Sequence, residues 1–304
     1  MSTARSRNGH QGTSSRRSQE ASSAPESYIP FLRWPGGKRW AARKIVPVIR
    51  KALEKGGTYY EPFLGGGAVF FSLVPNRAVL TDVNAELVNA YRAVRDNHES
   101  IVSRMRGLRV SKDAYKETRE SRPRTPVSRA IRFLYLNRTA FAGIYRLNQD
   151  GEFNVPYGGR QRTPAVLWER ELLLRAASVL KNGVTLRVSD FEKSMSKAGK
   201  GDVVYCDPTY SVAHDNNGFL RYNERIFSWS DQERLARAAK AAAKRGATVV
   251  VSNAHHNSVR ILYAGARTLT LHRPSCVSAT SAGRRRVAEY LFILPGSKRV
   301  QKAN

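Results

Sequence analysis

At 304 residues, 41% of them hydrophobic, the chain can build a large α/β core or one domain carrying an inserted second one, and no run approaches the roughly 18 apolar residues of a membrane span. Cys206 and Cys276 are its only cysteines, which excludes a disulfide framework and a Cys-rich metal site and fits a reducing cytoplasm. With 52 Lys+Arg against 24 Asp+Glu the net charge is +28, and self-repulsion of that size implies a polyanionic partner: nucleic acid rather than an anionic membrane, since no basic helix carries a bulky apolar face.

Residues 1–27 are mostly Ser, Arg, Gln and Gly, too polar to fold, and are expected to form a disordered basic arm. Ser15-Arg16-Arg17-Ser18 precedes no hydrophobic segment, so an export signal is excluded. Order begins near residue 28 with Arg33-Trp34-Pro35-Gly36-Gly37-Lys38, a turn able to hold a planar ring and a carboxylate, and a basic helix is predicted over 40–55. Tyr59-Tyr60-Glu61-Pro62-Phe63-Leu64-Gly65-Gly66-Gly67 then reads as a strand, a glycine-rich turn and a helix start. A second strand over 78–81 ends in Asp82, 21 residues after Glu61, the spacing that grips a ribose in a Rossmann-type crevice. Phe70 occupies the third glycine's place of a dinucleotide fingerprint, and Glu61 would repel a pyrophosphate. An acidic first loop favours S-adenosylmethionine over NAD.

Residues 85–121 have a helical pattern with Leu87, Tyr91 and Val94 on one face. From Arg104 to Arg146 there are twelve Lys/Arg against three Asp/Glu. A helix over 129–136 leads to Asn137-Arg138-Thr139-Ala140-Phe141-Ala142-Gly143-Ile144-Tyr145-Arg146, and 147–155 reads as a β-hairpin turning at Gln149-Asp150-Gly151. Arginines on a hairpin can enter a major groove and hold guanine O6 and N7. A helix is predicted over 166–180, then a strand over 184–188 ending in Ser189-Asp190-Phe191, an acid and a ring suited to an adenine amine and face.

Gly201-Asp202-Val203-Val204-Tyr205-Cys206 reads as a buried strand that stops at Asp207-Pro208-Thr209-Tyr210. Two acceptors and a ring at a strand's carboxyl end suit a flipped-out base with an exocyclic amine. A mobile loop to about residue 222, an Ala-rich helix over 231–245 capped by Ser230, a strand over 248–252, the basic loop Gly283-Arg284-Arg285-Arg286 and a last strand over 287–294 complete the pattern. His255 and His256 are adjacent, point apart and lack a third ligand, so no metal site is expected.

With these residues laid out, the chain resembles the Dam family of adenine-N6 DNA methyltransferases from about residue 30 to 294. Arg33-Trp34-Pro35-Gly36-Gly37-Lys38 is similar to the family's Lys-Trp-Ala-Gly-Gly-Lys, Glu61 to Gly67 to its first cofactor motif, and Asp82-Val83-Asn84 to its ribose-binding acid. Phe133-Leu134-Tyr135-Leu136-Asn137-Arg138 and Gly151-Glu152-Phe153-Asn154-Val155-Pro156-Tyr157-Gly158 match family segments almost residue for residue. The resemblance implies a Rossmann-like S-adenosylmethionine-dependent methyltransferase sheet, over 28–87 and 166–296. An inserted, mainly helical target-recognition domain carrying a β-hairpin would span 88–165, with basic tails at 1–27 and 297–304. Trp34, Lys38, Glu61, Phe63, Gly65, Gly67, Asp82, Asp190, Phe191 and Asp207 would hold S-adenosylmethionine. Asp207, Pro208 and Tyr210 would act on the adenine. Arg33, Arg138, Phe141, Ile144, Arg146, Asn148 and Arg160 would contact double-stranded DNA, Arg33 and Arg146 where the family reads guanines of GATC. A monomeric enzyme at the bacterial or phage nucleoid, in restriction-modification or another methylation role, is the implied setting.

Three departures bear on this expectation. Thr209 stands for the second proline of Asp-Pro-Pro-Tyr, Phe141-Ala142-Gly143 for Tyr-Asn-Gly, and Gly159-Arg160 for Arg-Tyr. The Thr209 change leaves both acceptors and the ring in place, so an altered rate is expected and not a lost reaction. Two readings compete: a non-catalytic or weakly active DNA-binding relative, which Thr209 alone favours, and an enzyme acting on RNA adenine, which would lean on exposed aromatics.

Overall fold

The computed structural model describes residues 29–148, 151–159, 163–167, 169–210, 227–274 and 286–297. Seven strands form one sheet: β1 (Tyr59–Glu61), β2 (Ala78–Asp82), β3 (Val184–Val188), β4 (Val203–Cys206), β5 (Thr248–Ala254), β6 (Arg267–Pro274) and β7 (Arg286–Leu294). Their order is β3-β2-β1-β4-β5-β7-β6. The first five are parallel, and β7 runs antiparallel to both β5 and β6. Among the described residues nine α-helices accompany the sheet. They are α1 (Ala42–Ala52), α2 (Ala68–Leu73), α3 (Ala85–Arg106), α4 (Lys112–Glu120), α5 (Pro126–Thr139), α6 (Arg170–Lys181), α7 (Phe191–Met195), α8 (Trp229–Lys244) and α9 (Asn257–Leu262).

Strand alternation divides the core. Val203 and Tyr205 of β4 face the layer built by α1, α2, α3 and α6, where Ile45, Phe70, Leu87 and Leu173 are buried. Val204 and Cys206 face α7, α8 and α9 through Met195, Leu235 and Val259. A period of two along each strand thus supplies both sides of a three-layer α/β fold. Strand order reverses between β1 and β4, and ligands of open α/β sheets bind beyond the carboxyl ends of strands at such a switch point. Glu61, Asp82 and Asp207 all stand there.

Several elements differ from the sequence expectation. The helical pattern over 85–121 is two helices, because Gly107 closes α3 and Ser111 caps α4. Residues 164–167 form a 3-10 turn, so α6 starts only at Arg170. Ser228, not Ser230, caps α8, in a reciprocal capping box with Asp231. Strand β6 was not anticipated. The segment 147–155 makes only a single antiparallel bridge, Leu147 to Phe153, among the described residues. Helix α3 runs through position 88, and α3, α4 and α5 share one continuous core with the sheet. The tails 1–27 and 298–304, the turn residues Gln149 and Asp150, Arg160, the loop beyond Tyr210 and the loop 283–285 lie outside the described residues.

Candidate active site and DNA-reading loop

Strand β4 ends at Cys206, and the next residue carries the central carboxylate. Asp207 Oδ1 lies 2.8 Å from Lys38 Nζ. Lys38 is only 4% exposed, also donates to the Gly36 carbonyl at 3.0 Å, and stands 5.0 Å from the centre of the Tyr210 ring. Burial pushes the Asp207 carboxyl up to about 6; Lys38 opposes the rise and Glu289 adds to it. At neutral pH Asp207 is therefore mostly ionised and able to accept a hydrogen bond.

The motif's backbone is held from behind. Thr209 O accepts from Gln232 Nε2 at 3.2 Å, and Gln232 Oε1 accepts from Asn253 Nδ2 at 2.8 Å. Both amides are buried. Tyr210 donates its hydroxyl to Glu289 Oε2 at 2.9 Å. Because β7 is antiparallel, Glu289 pairs with Ala254 at the carboxyl end of β5 and so reaches the same corner.

The other strand ends form a second part of the crevice. Asp82 takes Gly65 N–H at 3.0 Å and Asn84 N–H at 2.9 Å, one on each oxygen, tying the glycine turn to the end of β2. Gly65 and Gly67 adopt positive φ. A Cβ at Gly65 would come within 2.8 Å of the Trp34 indole, and one at Gly67 within 2.8 Å of the Tyr91 hydroxyl. These glycines therefore serve close packing of the turn as well as its shape. Burial raises the Glu61 carboxyl to about 8, against the opposing Tyr59 hydroxyl, which donates at 2.8 Å. Glu61 is thus largely protonated at neutral pH, and burial raises the Asp82 carboxyl as well, against the backbone N–H groups of Asn84 and Gly65.

Phe63 stacks on Phe191 at 5.4 Å, and Phe227 meets both rings. At that separation the two rings touch, so a base would lie against an outer face and not between them. Asp190 caps α7, accepting from Glu192 N–H at 2.9 Å, and pairs with Arg234 at 3.3 Å. Arg234 also spans Phe191, its guanidinium 4.9 Å from the ring centre.

The loop expected from the sequence to read DNA lies on the α5 side. Buried Asn137 accepts from Arg33 N–H at 3.0 Å and donates to Arg33 O at 2.7 Å and to Gly143 O at 3.3 Å. That clamp sets exposed Arg33 beside the loop. Trp34 stacks on Tyr145 at 5.9 Å, next to Arg146. Phe141 is 58% exposed, Ile144 is half-buried, and Arg146 Nε donates to Asn154 Oδ1 at 2.9 Å. Asn148 shapes the turn, its Oδ1 accepting from Glu152 N–H at 2.7 Å. Arg138 differs from its grouping with the DNA-contacting residues. It is 6% exposed, pairs with Glu169 at 2.5 Å and donates to the Phe31 carbonyl, so it braces the interior.

Comparison with known proteins decides what this arrangement belongs to. The model of the D12 class of N6 adenine-specific DNA methyltransferases matches residues 34–275. The chain belongs to that family. It is 34% identical to a type II methyltransferase of Lactococcus lactis subsp. cremoris over 86% of this chain and 94% of that one. It is 32% identical to the DNA adenine methylase of Escherichia coli over the same two shares. A type II methyltransferase of Methanocaldococcus jannaschii is 32% identical over 75% of this chain and 84% of its own. This D12-class protein is an adenine-specific DNA methyltransferase, and its reaction draws on a methyl donor.

Sequence reasoning missed Glu289, Gln232, Asn253 and Asn137, which organise the D12-class site from outside its motifs. Glu289 carried a signal: a lone acid inside the apolar run 287–294 is either a mistake of patterning or a buried functional group. Gln232 and Asn253 carried none, since an amide's burial is set by tertiary packing. Among the described residues no group of three metal-ligating side chains comes together.

Proposed function

We propose that this enzyme transfers a methyl group from S-adenosylmethionine to N6 of an adenine flipped out of duplex DNA, at GATC or a related site. The observation that carries the reading is the end of β4, where an ionised Asp207, Pro208 and the Tyr210 ring stand together at the sheet's switch point. Residues present fit a cationic nucleoside donor: Asp82 beside a glycine turn, the aromatic Phe63 and Phe191 wall, and a crevice whose acids outnumber its one buried cation. When bound, S-adenosylmethionine supplies a sulfonium methyl whose transfer breaks the carbon–sulfur bond, leaves a neutral thioether and releases one N6 proton.

Adenine N6 is a poor nucleophile because its lone pair is delocalised into the ring. Asp207 and the Pro208 carbonyl accept its two N–H hydrogens, turn the nitrogen towards tetrahedral geometry and stabilise the positive charge that develops. Tyr210 stacks on the base and offsets part of the cost of unstacking it. Trp34, Lys38, Glu61, Phe63, Gly65, Gly67, Asp82, Asp190 and Phe191 form or brace the donor side.

Residues 88–165 act as the target-recognition part, 28–87 and 166–296 as the catalytic part. Arg33, Phe141, Ile144, Arg146 and Asn148 meet the duplex, with Arg146 reading a base edge. Arg138 supports that loop from within. One chain carries donor, catalytic and reading residues, so it works as a monomer, and its DNA substrate places it at the nucleoid. The test is transfer of labelled methyl from S-adenosylmethionine to unmethylated duplex DNA, followed by a GATC-cutting nuclease. Labelling with protection is expected. Labelling without protection would move the site, and no labelling would reject the donor.

A further inference from the structure

Lys38 stands where the target adenine has to go. Its ammonium is 2.8 Å from the carboxylate that would accept N6–H and lies over the ring on which the base would stack. An adenine bound as proposed therefore displaces it from Asp207. A buried ammonium left without a partner is strongly destabilising, so entry of the base needs a second acceptor within reach. Glu289 meets that need. It is 3% exposed, and its Oε2 is 3.5 Å from Lys38 Nζ, beyond the first ion pair but close enough for a small swing of a flexible four-carbon stem. The same oxygen accepts the Tyr210 hydroxyl at 2.9 Å, which fixes the plane of the ring.

We propose that Glu289 is a positioning residue for methyl transfer: it receives Lys38 when the adenine takes Asp207, and it holds Tyr210 in the stacking position. This rests on the adenine-binding role given to Asp207 and Tyr210 above. The charges favour such an exchange. Groups facing Asp207 are Lys38 from the turn before α1, Glu61 from β1, Tyr205 and Cys206 from β4, Tyr210 from the loop after β4, and Glu289 from β7. Lys38 is the one cation in this set, and it is shared by two carboxylates. Removing Glu289 would leave Lys38 locked on Asp207 and closed to the base.

The test compares Glu289→Gln with wild type in single-turnover methyl transfer at saturating DNA and S-adenosylmethionine, with and without Lys38→Met. The expected result is a rate lower by roughly 10- to 100-fold, with affinities for donor and DNA within about threefold. In the Lys38→Met background the same change should have little further effect, because there is no ammonium to receive. The acid limb of the pH–rate profile should also move to lower pH in Glu289→Gln, since a negative charge that raises the Asp207 carboxyl is gone. Equal losses with and without Lys38, or a wild-type rate, would overturn the exchange. Should Glu289→Gln fail to fold, Glu289→Asp keeps the charge and withdraws it by one methylene; greater slowing when Lys38 is present supports the exchange, and equal slowing in both backgrounds, which loss of the Tyr210 bond alone would give, rejects it. An active Asp207→Ala protein would instead sink the adenine-binding role itself, so the two failures are distinguishable.

Discussion

The proposed catalytic corner and the proposed reading loop share one segment, Arg33 to Lys38, yet they are built on opposite terms. At the corner, Asp207 follows β4 and Glu289 lies on β7, two strands of one sheet with β5 between them, Lys38 is buried between the two carboxylates, and Gln232 and Asn253 fix the backbone behind. At the loop, Phe141 faces solvent, Ala142 has a left-handed φ of 51°, and Arg146 is held by one side-chain amide. Strand register over-determines the first and leaves the second open to reshaping. Chemistry should therefore be intolerant of change here, and target choice tunable.

The most severe way to break this contrast is Asp207→Ala. A loss of about a thousandfold or more in single-turnover rate is expected, with duplex affinity by fluorescence anisotropy within a few-fold of wild type. Retained activity would mean that the corner tolerates as much as the loop. Acid offers a gentler version of the same change. Under the proposed mechanism the charge of Asp207 stabilises the positive nitrogen that develops, and burial lifts its carboxyl to about 6 in the fold. The value of kcat/KM, which reports the free enzyme with Lys38 still on Asp207, should hold above that pH and fall as pH drops through it. A carboxyl in its ordinary range would keep the rate to well below pH 5.

How far the sequence showed each region follows from the same physics. Apolar runs bounded by acids made β1, β2 and β4 readable, because a buried parallel strand must be apolar along its length, whereas β3, at a sheet edge with only Leu186 buried, shows itself by Val184, Leu186 and Val188 alternating with Thr185 and Arg187. Strand β6 escaped since Thr268, Thr270 and His272 alternate with Leu269 and Leu271 at a sheet edge, and only Leu271 is buried. Helices α3 and α4 merged in the reading because both are amphipathic and only the short stretch from Gly107 to Ser111 parts them. Motif residues of the corner were legible, whereas its braces were not. Burial of Glu289 depends on antiparallel pairing with β5, a non-local fact. Arg138 failed the other way: an arginine in a basic run looks like a DNA contact until Glu169 and the Phe31 carbonyl are seen to hold it inside.

Sharpening the loop side takes smaller changes. Arg146→Ala is expected to cost about 1–3 kcal/mol of discrimination at one base pair, read as the ratio of kcat/KM on the cognate duplex and on singly substituted ones. Equal loss on cognate and scrambled duplexes would reduce Arg146 to a phosphate contact. An arginine of the 1–27 tail should only lower the salt slope. Ala142→Asn should leave methyl transfer on the cognate site within a few-fold and raise stability by up to about 1 kcal/mol, because asparagine tolerates the left-handed region better than alanine. A fall in thermal stability would show that Ala142 packs in a way its backbone does not reveal.

Thr209→Pro puts the smallest expected effect at the most sensitive place. The change restores a ring next to Pro208 and removes one backbone N–H, while Asp207, the Pro208 carbonyl and Tyr210 stay as they are. Gln232 still finds its acceptor, because the Thr209 carbonyl survives the substitution. A second proline also keeps Pro208 out of the helical region, so the presentation of its carbonyl is stiffened and not moved. Since the loop is already held by Gln232, Asn253 and the Tyr210–Glu289 bond, stiffening has little left to do. A rate change within about threefold is expected, with a stability gain of about 0.4–1 kcal/mol from the less flexible unfolded chain. A rise from trace to full activity in single-turnover assays would place the control of the corner in that one ring and not in the braces behind it.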